Sequence, residues 1–179
     1  APGRSFTSGL RASLANILAP SSWKLLRDAA TIYAGGCEEC GARDRLECHE
    51  AWHYDDDKGV QRLMRLRTLC GPCHETCHLG FASVRGRYAA ALERLVALNR
   101  LHAEEVAAYE QLIFEKFEER SQREWVLDLG FLRGHGLRLK KTFRIASPGV
   151  ICGDRRGGRT VVAISGVNLV ESPRGIVLT

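Results

Sequence analysis

The sequence predicts an α+β fold in which helices flank a pair of extended segments and a β-rich or irregular tail follows. The first observation is the helical spacing of apolar residues over about 22–33, 82–98 and 103–125. Ser21 or Ser22 can cap the first of these helices. The two later helices are expected to pack as a hairpin with their aromatic and leucine stripes in the core.

The second observation is a pair of extended segments, about 45–54 and 60–69, on either side of a turn-forming stretch that ends in Gly59. A short helix from 73 to 79 is expected next, with Gly80 ending it.

The third observation is a change of character after Trp125, where glycine becomes frequent and short apolar runs at 161–164 and 175–178 predict strands. We therefore divide the chain into a flexible N-terminal segment (1–21), a zinc/metal domain with a helical hairpin (22–130) and a basic β-like extension (131–179). The N-terminal segment weakly resembles a transit peptide, but a frayed terminus is expected. Eight basic residues of the extension lie between 133 and 159: Arg133, Arg138, Lys140, Lys141, Arg144, Arg155, Arg156 and Arg159.

Composition limits the kind of protein. No run approaches the roughly 20 apolar residues that cross a bilayer, so no membrane partner is expected. Six of the seven cysteines and four of the six histidines fall between Cys37 and His78. Such mixing is typical of metal binding in a reducing compartment, which predicts a soluble cytoplasmic protein. Cys152 lies apart and is interpreted as an ordinary thiol.

Two C-x-x-C pairs, Cys37/Cys40 and Cys70/Cys73, are separated by 29 residues. Each spacing lets two thiolates bind one ion, and two pairs complete the tetrahedral sulfur shell that zinc prefers. A structural zinc is therefore predicted. A redox disulfide is the alternative, but duplicated pairs beside histidines are atypical of that chemistry. Cys48 and Cys77 stay unassigned, with Cys77 able to compete for zinc.

A second group of candidate ligands lies inside the loop that this zinc would close. His74 and His78 are four residues apart on the predicted short helix, which places both rings on one face. His49 on the extended segment could fold over that helix as a third ligand. Three protein ligands leave open positions for water and substrate, as in catalytic metal sites. Alternatively, His74 caps the helix and His78 meets its C-terminal dipole.

The segments Leu46–Glu50 and Leu69–His78 resemble the HNH endonuclease family, and specifically its zinc-stapled branch. The resemblance covers 37–80, about a quarter of the chain. It implies a ββα-metal core in which His49, together with the histidines at 74 and 78, binds a divalent ion.

Two departures from the family pattern stand beside it. Where the family places a general-base histidine, this chain has Glu50, a weaker base. His53 is a second candidate, because in a strand it shares a face with His49 and Glu50 does not. The family's middle asparagine is also absent, and Gln61 is the nearest polar residue.

These residues predict a metal-dependent endonuclease that hydrolyses phosphodiester bonds, with nucleic acid as partner and DNA as the first expectation. The expected cofactors are a structural Zn²⁺ and a second divalent ion, Mg²⁺, Mn²⁺, Ni²⁺ or Zn²⁺, at the histidines. Arg62, Arg65 and Arg67 are candidate phosphate contacts. The competing hypothesis is a non-catalytic zinc module that binds nucleic acid or a protein. A homodimer formed through the extension stays open.

Overall fold

A computed structural model describes residues 13–155 and 158–179, and side chains for 13–151 and 162–179. The predictions made for residues 1–12, and for the side chains of Cys152, Arg155, Arg156 and Arg159, lie outside the described residues. Helices and strands are both present, which confirms the α+β class. Among the described helices, none combines the length and apolar character that a transmembrane segment requires.

The elements follow one another along the chain as a helical start, a hairpin, four helices and a strand-rich end. The helices are α1 (Leu14–Ile17), α2 (Pro20–Ala34), α3 (Gly71–Thr76), α4 (Leu79–Val84), α5 (Tyr88–Asn99) and α6 (Ala103–Ser121). The strands are β1 (Leu46–Asp55), β2 (Val60–Cys70), β3 (Val126–Asp128), β4 (Leu137–Arg138), β5 (Phe143–Ser147), β6 (Val150–Arg155), β7 (Gly158–Ser165), β8 (Leu169–Ser172) and β9 (Gly175–Leu178).

Two compact units divide the described residues, and they are interleaved along the sequence. The first comprises 29–49 and 67–122, and the second comprises 13–28, 50–66, 123–155 and 158–179. The hairpin strands β1 and β2 therefore contribute residues to both units. The segment boundaries expected near residues 21 and 130 stay a prediction about which parts fold independently.

The first unit contains the cysteine pairs, one end of the hairpin and the helices α3 to α6. Tyr88 of α5 donates a hydrogen bond to Glu110 of α6, and its ring stacks on Phe114 with centroids 6.4 Å apart. The predicted contact between these two helices is confirmed. Their shared apolar core is small, however, and α6 has no fully buried residue.

The short helix expected from 73 to 79 has different bounds. It begins at Gly71 and ends at Thr76, and Gly80 lies inside α4 instead of ending a helix. Pro72 suits the first turn, where an N–H would have no helical partner. The chain tightens at the other end, where the Cys77 amide donates to the His74 carbonyl at 3.1 Å.

The second unit is built on a six-stranded sheet in the order β1-β2-β3-β7-β6-β5. Strand β3 pairs in parallel with both β2 and β7, while β5, β6 and β7 are antiparallel neighbours. A three-stranded antiparallel sheet, β4-β9-β8, completes the tail. The strands predicted at 161–164 and 175–178 are confirmed as β7 and β9.

Residues 13–21, the described part of the N-terminal segment, are less frayed than expected. Leu14, Ile17 and Leu18 are completely buried in the core of the second unit, among leucines of the tail such as Leu137 and Leu178. The sequence expectation was wrong for this part because α1 has only four residues, too few to show an amphipathic period. Its burial depends on partners more than a hundred residues away.

Candidate metal centres

Two groups of side chains among the described residues could each hold a metal ion, and both lie in the first unit. One consists of Cys37, Cys40, Cys70 and Cys73, and the other of His49, His74 and His78. Within each group the potential ligand atoms all lie within 4.8 Å of one another. The sequence predicted both sets, and the structure brings the members of each set together.

Local hydrogen bonds shape the first cysteine pair. The Cys37 amide donates to the Ala42 carbonyl at 2.7 Å, and the Gly41 amide donates to the Cys37 carbonyl at 2.8 Å. Gly41 has a φ of +76°, a conformation that glycine adopts without strain. The pair is tied to β2 by two further bonds, from the Glu38 amide to the Thr68 carbonyl and from the Thr68 amide to the Glu38 carboxylate.

The four sulfurs lie close enough together to share one tetrahedral ion, since all are within 4.8 Å of one another. The Sγ atoms of Cys40 and Cys70 are 3.6 Å apart. Zn–S bonds of about 2.3 Å in a tetrahedron place two sulfurs about 3.8 Å from each other. Three of the four cysteines are buried and Cys40 is exposed. The donor set and its spacing therefore suit a closed structural ion.

The electrostatics of the sulfur group also favour a cation. Burial, together with the neighbouring cysteines, raises the pKa of the Cys73 thiol to about 12, although a hydrogen bond from Arg94 acts in the opposite direction. For Cys37, burial also acts upward, but backbone amides of Cys70, Cys40 and Glu39 lower the pKa to about 6. Four adjacent thiols do not all ionise without compensation, so a tetrathiolate requires a positive ion among them.

The three imidazoles converge from β1 and from the segment that begins with α3. Their ring centroids are 4.8 to 5.1 Å apart. The Nε2 atoms of His74 and His78 are 3.2 Å apart. Ligand bonds of about 2.1 Å give nitrogen separations of about 3.0 Å on an octahedral edge and about 3.4 Å on a tetrahedral edge. A hydrogen bond between the two rings would have a similar length, so the 3.2 Å separation is compatible both with a shared ion and with a direct hydrogen bond.

Glu47 is a partner of the histidine group that the sequence reasoning missed. Its carboxylate accepts a hydrogen bond from Nδ1 of His74. Since a carboxylate only accepts, the proton of a neutral His74 is assigned to Nδ1, which leaves the Nε2 lone pair free to bind an ion. Glu47 lies two residues before His49, and therefore on the same face of β1. That spacing was the available signal.

The histidines are suited to act as neutral ligands. Burial, followed by the proximity of His78 and His74, lowers the pKa of His49 to about 3. Burial and His74 likewise lower the pKa of His78 to about 4. Metal binding requires an unprotonated ring nitrogen, so these rings are available well below neutral pH.

The two candidate bases have different surroundings. Glu50 belongs to the second unit, where its carboxylate accepts hydrogen bonds from the Leu14 amide at 2.7 Å and from the Trp52 indole at 3.1 Å. Burial raises its pKa to about 7, although these hydrogen bonds act in the opposite direction. His53 is exposed. The two side chains lie on opposite faces of β1, since their positions differ by an odd number.

The arginines proposed as phosphate contacts are engaged elsewhere to differing degrees. Arg62 donates to Asp128 at 2.8 Å in the second unit. Arg67 pairs with Glu39 in the first unit and is mostly buried. Arg65 is exposed. Any phosphate bound by Arg62 or Arg67 would compete with these carboxylates.

Cys77 is exposed and lies outside the four-sulfur group, so it does not complete that group in place of another cysteine. Cys48 is half-buried and also stands outside both groups.

A second contact that the sequence reasoning missed is made by Arg94 of α5, whose guanidinium donates to Cys73 Sγ at 3.3 Å. No spacing rule links this arginine to the cysteines, because packing of α5 on α3 creates the contact.

No protein-family model, curated protein or solved structure matches this chain in comparisons of its sequence and fold. The functional assignment therefore depends on the residues and their geometry.

Proposed function

We propose that this protein is a metal-dependent endonuclease of the HNH type, which hydrolyses phosphodiester bonds in nucleic acid. The observation that carries the proposal is the convergence of His49, His74 and His78 with their donor atoms within 4.8 Å. Three neutral imidazoles bind a divalent cation and leave part of its coordination shell for substrate. The adjacent four-cysteine group would hold a structural Zn²⁺ that fixes the hairpin and α3.

The order of elements around the histidines supports the finer assignment of a ββα-metal core. Strands β1 and β2 form a hairpin, and α3 follows β2 directly. In the proposed core, β1 supplies the first ligand and the segment from α3 supplies the other two. The resemblance of the segments around His49 and His74 to HNH endonucleases adds the reaction type, hydrolysis with one divalent ion.

In the proposed reaction, water attacks phosphorus and the bond to the leaving 3′ oxygen breaks. The ion, when bound at the histidines, would stabilise negative charge on the phosphate oxygens in the transition state. His53 or Glu50 would accept the proton from water; His53 shares a face of β1 with His49, whereas Glu50 lies on the opposite face. A carboxylate can accept about four hydrogen bonds, so Glu50 can still accept a proton or a further hydrogen bond beside those from Leu14 and Trp52.

The test is cleavage of supercoiled plasmid by the zinc-containing protein with Mg²⁺, Mn²⁺, Ni²⁺ or Zn²⁺ added. We expect the native protein to nick or linearise the DNA, and His49→Ala and His78→Ala to lose that activity by at least about a hundredfold, the scale of a lost metal ligand. His135→Ala is the matched control, because His135 is exposed and belongs to the second unit. Equal residual cleavage by all four proteins would indicate a contaminating nuclease and refute the enzyme.

A non-catalytic zinc module is the second candidate, and the surroundings of Glu50 favour it. The residue at the position of the family's general base is already hydrogen-bonded to Leu14 and Trp52. Such a module needs only the four-cysteine ion and a surface for nucleic acid. Metal analysis separates the two: a module without a histidine site binds one ion per chain, whereas the nuclease binds a second, exchangeable ion that His49→Ala removes.

A further inference from the structure

Arg94 makes a direct contact with the four-cysteine group. It extends from α5, and its Nη2 atom donates to Sγ of Cys73 at 3.3 Å. Cys73 has no exposed surface and Arg94 is half-buried, so water does not reach the sulfur end of this contact. Among the described residues, Nε of Arg94 is buried and has no hydrogen-bond partner. The guanidinium is therefore anchored by sulfur and not by a carboxylate, the partner that arginine usually finds.

A second arginine makes the comparison informative. Arg87, at the start of α5, pairs with Glu75 of α3. Both arginines thus link the same two helices, but Arg87 ends on a carboxylate and Arg94 on a thiol. Either contact can stabilise the packing of α5 on α3. Only the contact of Arg94 places a positive charge against the sulfurs.

The charge of the cluster gives this contact a function. Four thiolates around one divalent cation carry a net charge of minus two, which is costly in a partly buried site. A guanidinium that donates to one sulfur withdraws electron density from it and offsets part of that charge. The sulfur then becomes a weaker nucleophile while staying bound to the ion.

We infer that Arg94 is a positioning residue of the four-cysteine metal site, where its hydrogen bond holds Cys73 as a metal-bound thiolate and slows loss of the ion. The inference rests on the part of the proposed function that assigns Zn²⁺ to the cysteines. It is independent of the nuclease reaction, because neither the histidines nor a substrate enters the argument.

The experiment compares the full chain with Arg94→Met, Arg94→Lys and Arg87→Met. The Arg94→Met variant keeps an unbranched apolar stem but removes the charge and the hydrogen bond. Arg94→Lys keeps the charge. Arg87→Met breaks the other contact between α5 and α3 and serves as the matched control. The first readout is the rate of zinc transfer to an excess of a coloured chelator. The second is the energy of the thiolate-to-cobalt charge-transfer band after replacement with Co²⁺.

We expect Arg94→Met to transfer zinc about tenfold faster, the scale of one lost hydrogen bond to a charged group. Its charge-transfer band should move to lower energy, because a sulfur without a donor releases its electrons more easily. Arg94→Lys should recover part of both effects, and Arg87→Met should leave the band unchanged. Far-ultraviolet circular dichroism checks that each variant is folded.

Three results would overturn the inference. The first is a native band position in a folded Arg94→Met protein. The second is an equal acceleration of zinc transfer by Arg94→Met and Arg87→Met, which would reduce Arg94 to helix packing. The third is a native protein without a thiolate-to-cobalt band, which would remove the metal assignment itself. Loss of plasmid cleavage with a normal band would instead concern only the proposed nuclease.

Discussion

Replacing Glu47 with glutamine should weaken metal binding at the histidine group without disturbing the cysteine group. The carboxylate of Glu47 accepts the hydrogen bond from Nδ1 of His74. Glutamine can still accept through its amide oxygen but loses the negative charge. The substitution therefore separates the contribution of charge from that of ring orientation.

The size of the effect follows from the contact and its exposure. Hydrogen bonds to charged groups contribute about 1.5–3 kcal/mol and neutral ones about 0.5–1.5 kcal/mol, a difference of about 1 kcal/mol. The Glu47 side chain is 54% exposed, so solvent screening favours the lower end of that range. We expect Glu47→Gln to weaken binding by about fivefold. Glu47→Ala, which removes both charge and orientation, should weaken it by about 10- to 100-fold.

The assay is isothermal titration of Mn²⁺ or Co²⁺ into protein that already contains the cysteine-bound zinc. Glu75→Gln is the matched control, because Glu75 is next to His74 on α3 but pairs with Arg87. Its histidine-site affinity should stay within about twofold of the native value, since it has no bond to a ligand ring. Native affinity in both Glu47 variants, or an equal loss in Glu75→Gln, would refute the reasoning.

Three further predictions concern the second unit. Gly166→Ala should lower the free energy of unfolding by about 2–4 kcal/mol in a thermal melt, because φ is +80° and a Cβ would lie 2.6 Å from the Gly130 amide nitrogen. Gly134 has a similar φ of +81° but open space around it, so Gly134→Ala should lower the free energy of unfolding by only about 1 kcal/mol. Equal losses in the two variants would contradict the steric argument. Burial acts to raise the pKa of Asp128, but hydrogen bonds from Arg62 and Gly130 prevail and lower this pKa below the usual 3.8. The ionised carboxylate of Asp128 therefore stabilises the fold above pH 3.8, and this contribution is lost as the pH falls through the lower pKa of the folded state. When the free energy of unfolding is measured against pH, Asp128→Asn should therefore lose less stability below about pH 4 than the native protein. Parallel curves of stability against pH for the two proteins would contradict this role of Asp128. Finally, replacing both Lys140 and Lys141 with glutamate should weaken DNA binding and reduce the salt slope by about 2 if each lysine contacts one phosphate. Lys116→Glu, whose lysine pairs with Glu119 on α6, should leave the slope unchanged. An unaltered slope in the double variant would show that these two lysines do not contact the DNA.

The sequence anticipated the ligand groups better than the surroundings of the ligands. Each C-x-x-C pair places its members together through short-range backbone geometry. The prediction that His74 and His78 share one face of a single helix was wrong, because α3 ends at Thr76 and His78 lies between α3 and α4, yet the two rings still converge. His49 required one long-range assumption, that the extended segment folds over α3, and the structure brings its ring to the other two. Periodicity also predicted α2 and α6 with errors of up to four residues at their ends, but the single helix expected over 82–98 was wrong, because the helix is interrupted at 85–87 between α4 and α5.

Contacts between distant segments decided the rest. The sequence could not show that Arg94 contacts Cys73, or that the Glu50 carboxylate meets the Leu14 amide, because these pairs are 21 and 36 residues apart and follow no local period. The same reason applies to the tail, where β3 pairs in parallel between β2 and β7. Spacing along the chain specified which atoms could bind a metal ion. Tertiary packing determined which charges and hydrogen bonds surround them, because burial and long-range pairing exist only in the folded chain.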